Sequence, residues 1–190
     1  LKRIGFIGVP GSGKSCVARG LAARGYEKLN KIELVSEYAR RFIAKYGTVD
    51  VSDQYKIMQK QLEWEDVIPQ DKTDVLITDS PVFLGFLYAL NLRDSNNAKD
   101  VMYINDIFKR MSKLNCPNRY DIIFHLPPIW KPVQDGVRPQ DHFDDTWRNE
   151  ADNLLQFIFK LFPPKHFVTL KTDTLDLRIN ECLEISEKYL

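Results

Sequence analysis

Gly8-Val9-Pro10-Gly11-Ser12-Gly13-Lys14-Ser15 sets glycines, a lysine and a hydroxyl at the spacing G-x-x-x-x-G-K-[ST]. That spacing suits the wrapping of a phosphate tail. Glycines let the backbone curl so that successive N–H groups point inward. A helix beginning at the same place adds the partial positive charge of its N-terminus. In such a loop the Lys14 ammonium reaches the β- and γ-phosphates, and the Ser15 hydroxyl takes a place on Mg²⁺. The candidate nucleotide-binding residues are therefore Gly8, Pro10, Gly11, Ser12, Gly13, Lys14, Ser15 and Cys16. Cys16, on the first helical turn, reads as a small packing residue rather than a nucleophile.

Other reactive groups stand where strands are expected to end. Asp79 closes the apolar run Asp74-Val75-Leu76-Ile77-Thr78, where phosphate-loop proteins keep an acidic residue for Mg²⁺. With Ser15 it forms the candidate metal pair; the competing reading is a turn aspartate. Glu37 follows Ile32-Glu33-Leu34-Val35, and Arg40 lies one turn later. A carboxylate there can accept a proton from a substrate hydroxyl, and the guanidinium can bind substrate. The bland alternative is a surface ion pair at i,i+3. Asp135-Gly136-Val137-Arg138 occupies a long loop, followed by Arg148. An arginine on a closing flap can neutralise charge on a phosphoryl group in transfer and help exclude water. Lys14, Glu37, Asp79 and Arg138 thus make the candidate catalytic set, with Glu37 and Arg40 facing substrate. Asp141, His142, Asp144 and Asp145 fit neither a calcium-loop spacing nor H-E-x-x-H, and read as solvated loop. Lys171-Thr172-Asp173 follows the last expected strand and could line an adenine pocket.

These groups need a scaffold that brings strand ends together. Strands are expected at 3–7, 32–35, 74–78, 120–126 and 167–170. Helices are expected at 14–24, 37–46 with Ser36 as N-cap, 53–68, 80–92, 99–114, 147–162 and 175–190. The near-continuous apolar strands fit a parallel sheet covered on both faces. Strands alternating with helices give an α/β fold with a doubly wound parallel sheet, in which ligands bind beyond the carboxyl ends of the strands. Residues 127–149, rich in proline and aspartate, read as a lid-like loop of a single domain spanning 1–190. Trp64, Tyr55 and Phe86 lie at helical spacing and read as core or pocket wall; His125 reads as a satisfied core histidine. Lys109, Arg110 and Lys113 sit near a helix C-terminus, where cations are favoured in any case.

Composition removes several classes. A net charge of +1 over 190 residues offers no global field for nucleic acid or a membrane surface. No apolar run approaches the ~20 residues of a membrane span. The chain enters its first strand at once, so no targeting peptide is expected and the expected compartment is the cytoplasm. Three cysteines without C-x-x-C spacing point to a reducing compartment and to neither a disulfide framework nor a zinc site.

The glycine loop, Ser36-Glu37-Tyr38-Ala39-Arg40, Ile77-Thr78-Asp79-Ser80 and Asp135-Gly136-Val137-Arg138 occur in that order. The set resembles the ribosylnicotinamide kinase domain of NadR-type proteins and the wider family of small phosphate-loop ATPases and kinases, over residues 3–184. The resemblance implies a five-stranded sheet of order 2-3-1-4-5 with helices on both faces, ATP with Mg²⁺, and phosphorylation of a hydroxyl on a nucleoside-like acceptor. It also implies that Glu37 or Asp79 handles that hydroxyl and that Arg138 belongs to a lid. Where that kinase has an aromatic residue before Glu-Tyr, this chain has Val35-Ser36. The acceptor thus stays open among a nucleoside, a nucleotide and DNA, as a hydroxymethylated base or a polynucleotide end. A DNA kinase needs a basic channel beside the loop. A nucleotide-dependent switch without an acceptor is the alternative from another class. A guanine-reading Asn-Lys-x-Asp late in the chain is missing; Asn30-Lys31-Ile32-Glu33 comes too early.

Overall fold

A computed structural model describes residues 1–94, 96–131 and 144–190. Five strands and seven helices alternate along it: β1 (Lys2–Ile7), α1 (Lys14–Gly25), β2 (Ile32–Val35), α2 (Tyr38–Tyr46), α3 (Val51–Asp66), β3 (Val75–Thr78), α4 (Leu84–Leu92), α5 (Ala98–Lys113), β4 (Ile122–His125), α6 (Asp145–Leu161), β5 (Phe167–Thr169) and α7 (Leu175–Tyr189). The strands form one parallel sheet in the order β2-β3-β1-β4-β5, as the resemblance implies.

Alternate residues of the central strands feed two separate cores. Ile4 and Phe6 of β1, Ile77 of β3, and Ile122 and Phe124 of β4 pack with Val17 and Leu21 of α1 and Ile179 and Leu183 of α7. Ile7 and Ile123 point the other way, into a cluster with Met58, Leu87, Ile107 and Phe159 from α3, α4, α5 and α6. Covered on both faces, these strands have no polar side to show in the sequence, which is why they read as apolar runs.

The helix starts show where local rules hold and where tertiary contacts override them. Asp50 accepts from the Asp53 N–H at 2.9 Å and Asp53 answers the Asp50 N–H at 3.3 Å, a capping box that starts α3 ahead of its expected residue 53. Asp144 caps α6 through the Trp147 N–H at 3.0 Å, so that helix takes the last residues of the expected 127–149 loop. The start of α2 departs from expectation. Its N-cap is Glu37, not Ser36, and no side chain caps it. The free N–H of Tyr38 is taken by the Gln61 amide oxygen at 2.9 Å instead. After β3 the chain does not enter a helix at Ser80. Tyr120 Oη accepts the Val82 N–H at 2.8 Å, a turn closes between Pro81 and Leu84, and α4 begins at Leu84.

Candidate active site

The phosphate loop joins β1 to α1 at the carboxyl end of the sheet. Gly8, Gly11 and Gly13 have φ of 147°, 75° and 90°. At those angles a side chain is strained, so the curl depends on glycine. Gly8 has a second reason: a Cβ there would strike the Leu126 carbonyl and the Ser12 hydroxyl. Gly13 is the left-handed N-cap of α1, and no acidic side chain occupies the first turn of that helix. The positive end of the helix is thereby left to an anion from outside. Lys14 is buried, its Nζ donating to the carbonyls of Gly8 at 2.7 Å and Val9 at 3.0 Å. The ammonium thus lies across the loop that it would share with a phosphate.

β2, β3 and β1 are neighbours, so their tips bring Glu37, Asp79 and the loop together. The Ser15 hydroxyl donates to the buried Asp79 carboxylate. Burial first, and the negative charge of Glu37 second, raise the pKa of Asp79; Ser15, Lys14 and Arg19 only partly offset this. Asp79 Oδ1 is buried without a hydrogen-bond partner. An orphaned buried carboxylate oxygen costs free energy that a cation can return. One hydroxyl and one carboxylate, both hard oxygen ligands, fit Mg²⁺, which takes few protein ligands and completes its shell with water and phosphate. Among the described residues no cluster of three or more His, Cys, Asp or Glu side chains offers a closed metal cage. Glu37 is buried, with Arg40 Nε 3.9 Å from its Oε2. Arg40 is half-exposed, so the pair is more than a solvated surface bridge at its carboxylate end and little more at the other.

Gln61 holds these tips in register. Its Nε2 donates to the Ser36 carbonyl and to Thr78 Oγ1, each at 3.3 Å, while its Oε1 takes the Tyr38 N–H. One buried amide therefore grips the residues on both sides of Glu37 and the residue before Asp79. In the sequence Gln61 shows only as a polar residue on an apolar helical stripe, and that mismatch is the signal that could have marked it.

The other flank of the loop is braced by two buried arginines. Arg148, 1% exposed, donates from Nε to the Pro10 carbonyl at 3.2 Å and from Nη2 to the Trp130 carbonyl at 3.0 Å, and pairs with Asp145 at 3.1 Å. Its nitrogens are spent on holding the loop, so it acts as a brace rather than a flap charge. Arg178, 0% exposed, donates to the carbonyls of Thr172 at 2.9 Å and Ser12 at 3.1 Å. Cys16 is exposed, not packed as expected. The packing reading fails because its position on the first turn of α1 faces away from Val17 and Ala18, which take the core.

The remaining expectations sort quickly. His125 is a satisfied core histidine, bonded to Asp152 at 2.8 Å and Thr169 at 3.2 Å. Trp64 lies edge-on to Tyr38, with Arg41 over its ring at 4.7 Å, and Phe86 is buried. Asp144 and Asp145 serve α6 as cap and as partner of Arg148. Thr172 and Lys171 are held by Glu181, which accepts from both backbone N–H groups and from the Thr172 hydroxyl. Asp135, Gly136, Val137, Arg138, Asp141 and His142 lie outside the described residues. None of the described helices is long and apolar enough to cross a membrane.

Residues 3–163 match the family described as AAA domain. The chain belongs to that family. No curated protein matches it. Among solved structures this AAA-domain chain is similar to a NadR protein in complex with NR, with a TM-score of 0.79 and 19% identity over 99% of this chain and 51% of that one. It is similar to a NadR protein in complex with NAD and AMP-PNP, with a TM-score of 0.73 and 16% identity over 99% of this chain and 49% of that one. It is also similar to a deoxyadenosine kinase from M. mycoides with bound dATP, with a TM-score of 0.57 and 16% identity over 98% of this chain and 99% of that one. The chain thus spans about half the length of the NadR structures it matches. At these identities the likeness establishes a common fold.

Proposed function

We propose that this chain is an ATP-dependent kinase that transfers the γ-phosphoryl group to a hydroxyl of a nucleoside-like acceptor. The observation that carries the reading is the buried Asp79 carboxylate. It is bonded to Ser15 at the mouth of the phosphate loop, stands beside Glu37, and keeps one oxygen without a partner. In this reading the glycine loop and Lys14 hold the phosphates, with Ser15 and Asp79 as the ligands of Mg²⁺. When bound, the ion neutralises charge on the phosphate oxygens. Glu37, on the neighbouring strand tip, orients the acceptor hydroxyl and takes its proton. Arg40 restrains the Glu37 carboxylate on the side open to solvent. Arg138 adds positive charge to the phosphoryl group in transfer.

A nucleoside-like acceptor is favoured by the fold's company: a NadR protein solved with NR and a deoxyadenosine kinase solved with dATP. Neither DNA nor an acceptor-free switch gains such support. The test is transfer of label from γ-labelled ATP, with Mg²⁺, to a panel of nucleosides, nucleotides and hydroxymethylated DNA. Label is expected in a nucleoside monophosphate. Label released only as inorganic phosphate across the whole panel would overturn the reading.

A further inference from the structure

We propose that the indole of Trp130 occupies the purine-base site of this chain, and that the base of a bound nucleotide displaces it. The inference rests on the nucleotide-binding reading above and extends it to the base. Three contacts define where the ring lies. A Cβ on Gly13 would collide with Cζ3 and Cε3 of its six-membered ring, so the edge of the ring lies on the residue that opens α1. Its Nε1–H donates to the Asp173 backbone carbonyl at 2.6 Å. Its face lies on the Arg178 guanidinium, 4.2 Å from ring centroid to cation.

Those contacts are the ones that adenine can make. Indole and purine are both flat, fused six- and five-membered aromatic systems. Each can present an N–H to a backbone carbonyl, adenine through its exocyclic amine, and each can stack on a guanidinium. The receiving surface does not depend on Trp130. Glu181 fixes the backbone of Lys171 and Thr172, and Arg178 is tied to Thr172 and Ser12. The site is therefore formed beforehand and borders the phosphate loop at Ser12 and Gly13. It is also incompletely satisfied: Arg178 Nη2 is buried with no hydrogen-bond partner. With the indole gone, that N–H can serve a ring nitrogen or a ribose oxygen. Trp130 is only partly buried, and Arg148 holds it by its carbonyl rather than by its ring. The side chain can turn away while the backbone stays in place.

An internal occupant lowers apparent affinity by the fraction of time it fills the site. Binding of ATP and of inorganic triphosphate to the wild-type protein and to Trp130→Ala, measured by calorimetry without any acceptor, tests this. ATP is expected to bind Trp130→Ala about 5- to 20-fold more tightly than wild type, the range a displaced stack and hydrogen bond allow. Inorganic triphosphate, which has no base, is expected to bind both equally. Trp130→Phe, which keeps a ring but loses the N–H, should fall between them. ATP affinity that is unchanged or weaker in Trp130→Ala, with triphosphate binding intact, overturns this inference alone and makes the indole a bystander or a stacking platform. If neither ligand binds either protein, the nucleotide-binding reading fails and this inference fails with it.

Discussion

Two buried carboxylates on this scaffold show opposite treatments of the same problem. Asp79 and Glu65 are both removed from water, and burial is the first cause of a raised pKa in each. Glu65 is fully provided for. Tyr120 donates to both its oxygens at 3.0 and 3.1 Å, and Arg119 Nε lies 3.3 Å from Oε2. Tyr120 in turn accepts the Val82 N–H, and Arg119 also pairs with Asp66. Asp79 has a serine on one side, a second carboxylate nearby and one oxygen without any partner. A network that is complete holds a fold together, whereas one left short by a cation holds a place for a ligand. The contrast separates the residues that maintain this molecule from those that the proposed transfer would use.

The comparison breaks first at the loop. Lys14→Ala removes the cation that the proposed transfer uses, whose bonds go to the loop carbonyls and not to the core. Phosphoryl transfer is expected to fall by about 10²- to 10³-fold, on the order of 3–4 kcal/mol in the barrier. The melting temperature should hardly move, and a large drop in it would place Lys14 among the structural residues. Asp79→Asn sharpens the same distinction by changing two quantities in opposite directions. Transfer should fall by about 10²-fold with the loss of the proposed metal ligand. Stability should rise by roughly 1 kcal/mol, because a buried charge beside Glu37, only partly compensated by Ser15, Lys14 and Arg19, has gone. Denaturant unfolding reads the second effect, and a loss of stability would mean that Asp79 is as well provided for as Glu65.

The parts of the molecule differ in how openly the sequence shows them. The glycine spacing declares the phosphate loop because strained φ values admit few other residues. The run ending at Asp79 declares a strand and its tip because both faces of that strand are covered. Strand order is not written in any local pattern. It depends on where each crossover returns, and only the likeness of several motifs in register supplied it. Ser36 looks like the better helix cap, yet a side chain 25 positions away holds its carbonyl and the cap falls to Glu37. The braces of the loop are equally hidden. Arg178 reaches the Ser12 carbonyl across 166 positions, and in sequence it is one basic residue of an ordinary helix. Trp130 offered a fainter sign, a large aromatic residue alone among prolines at the start of a loop.

The structural side of the comparison is tested at its centre by Tyr120→Phe. The hydroxyl is the acceptor for Val82 and the donor to Glu65, so its removal leaves one buried N–H and one buried carboxylate short of a partner. Stripping a buried group of its partner costs about 1–3 kcal/mol. Unfolding in denaturant should show a loss in that range, with transfer reduced only to the extent that the protein unfolds. A transfer defect in fully folded Tyr120→Phe would mean that the turn at Pro81 and Val82, next to Asp79, takes part in positioning the site.

The smallest expected effect is a slope against pH. Burial raises Glu65 from 4.5 to about 7 in the folded protein, and this outweighs the opposing pull of Arg119 and of the Tyr120 hydroxyl. A carboxyl raised on folding binds its proton more tightly in the folded state. Its contribution to stability is complete below about pH 4.5 and is lost as pH rises through about 7. Glu65→Gln keeps the shape and an acceptor for Tyr120 but removes the titration. Between about pH 5 and 7.5 its unfolding free energy should change less with pH than that of wild type. Asp79, also raised, contributes a slope of the same sign that begins nearer its usual 3.8, and it should persist in Glu65→Gln and disappear in Asp79→Asn. A slope unaltered in Glu65→Gln would mean that Arg119 keeps Glu65 ionised. The fold's own carboxylate would then be half of a buried ion pair with Arg119.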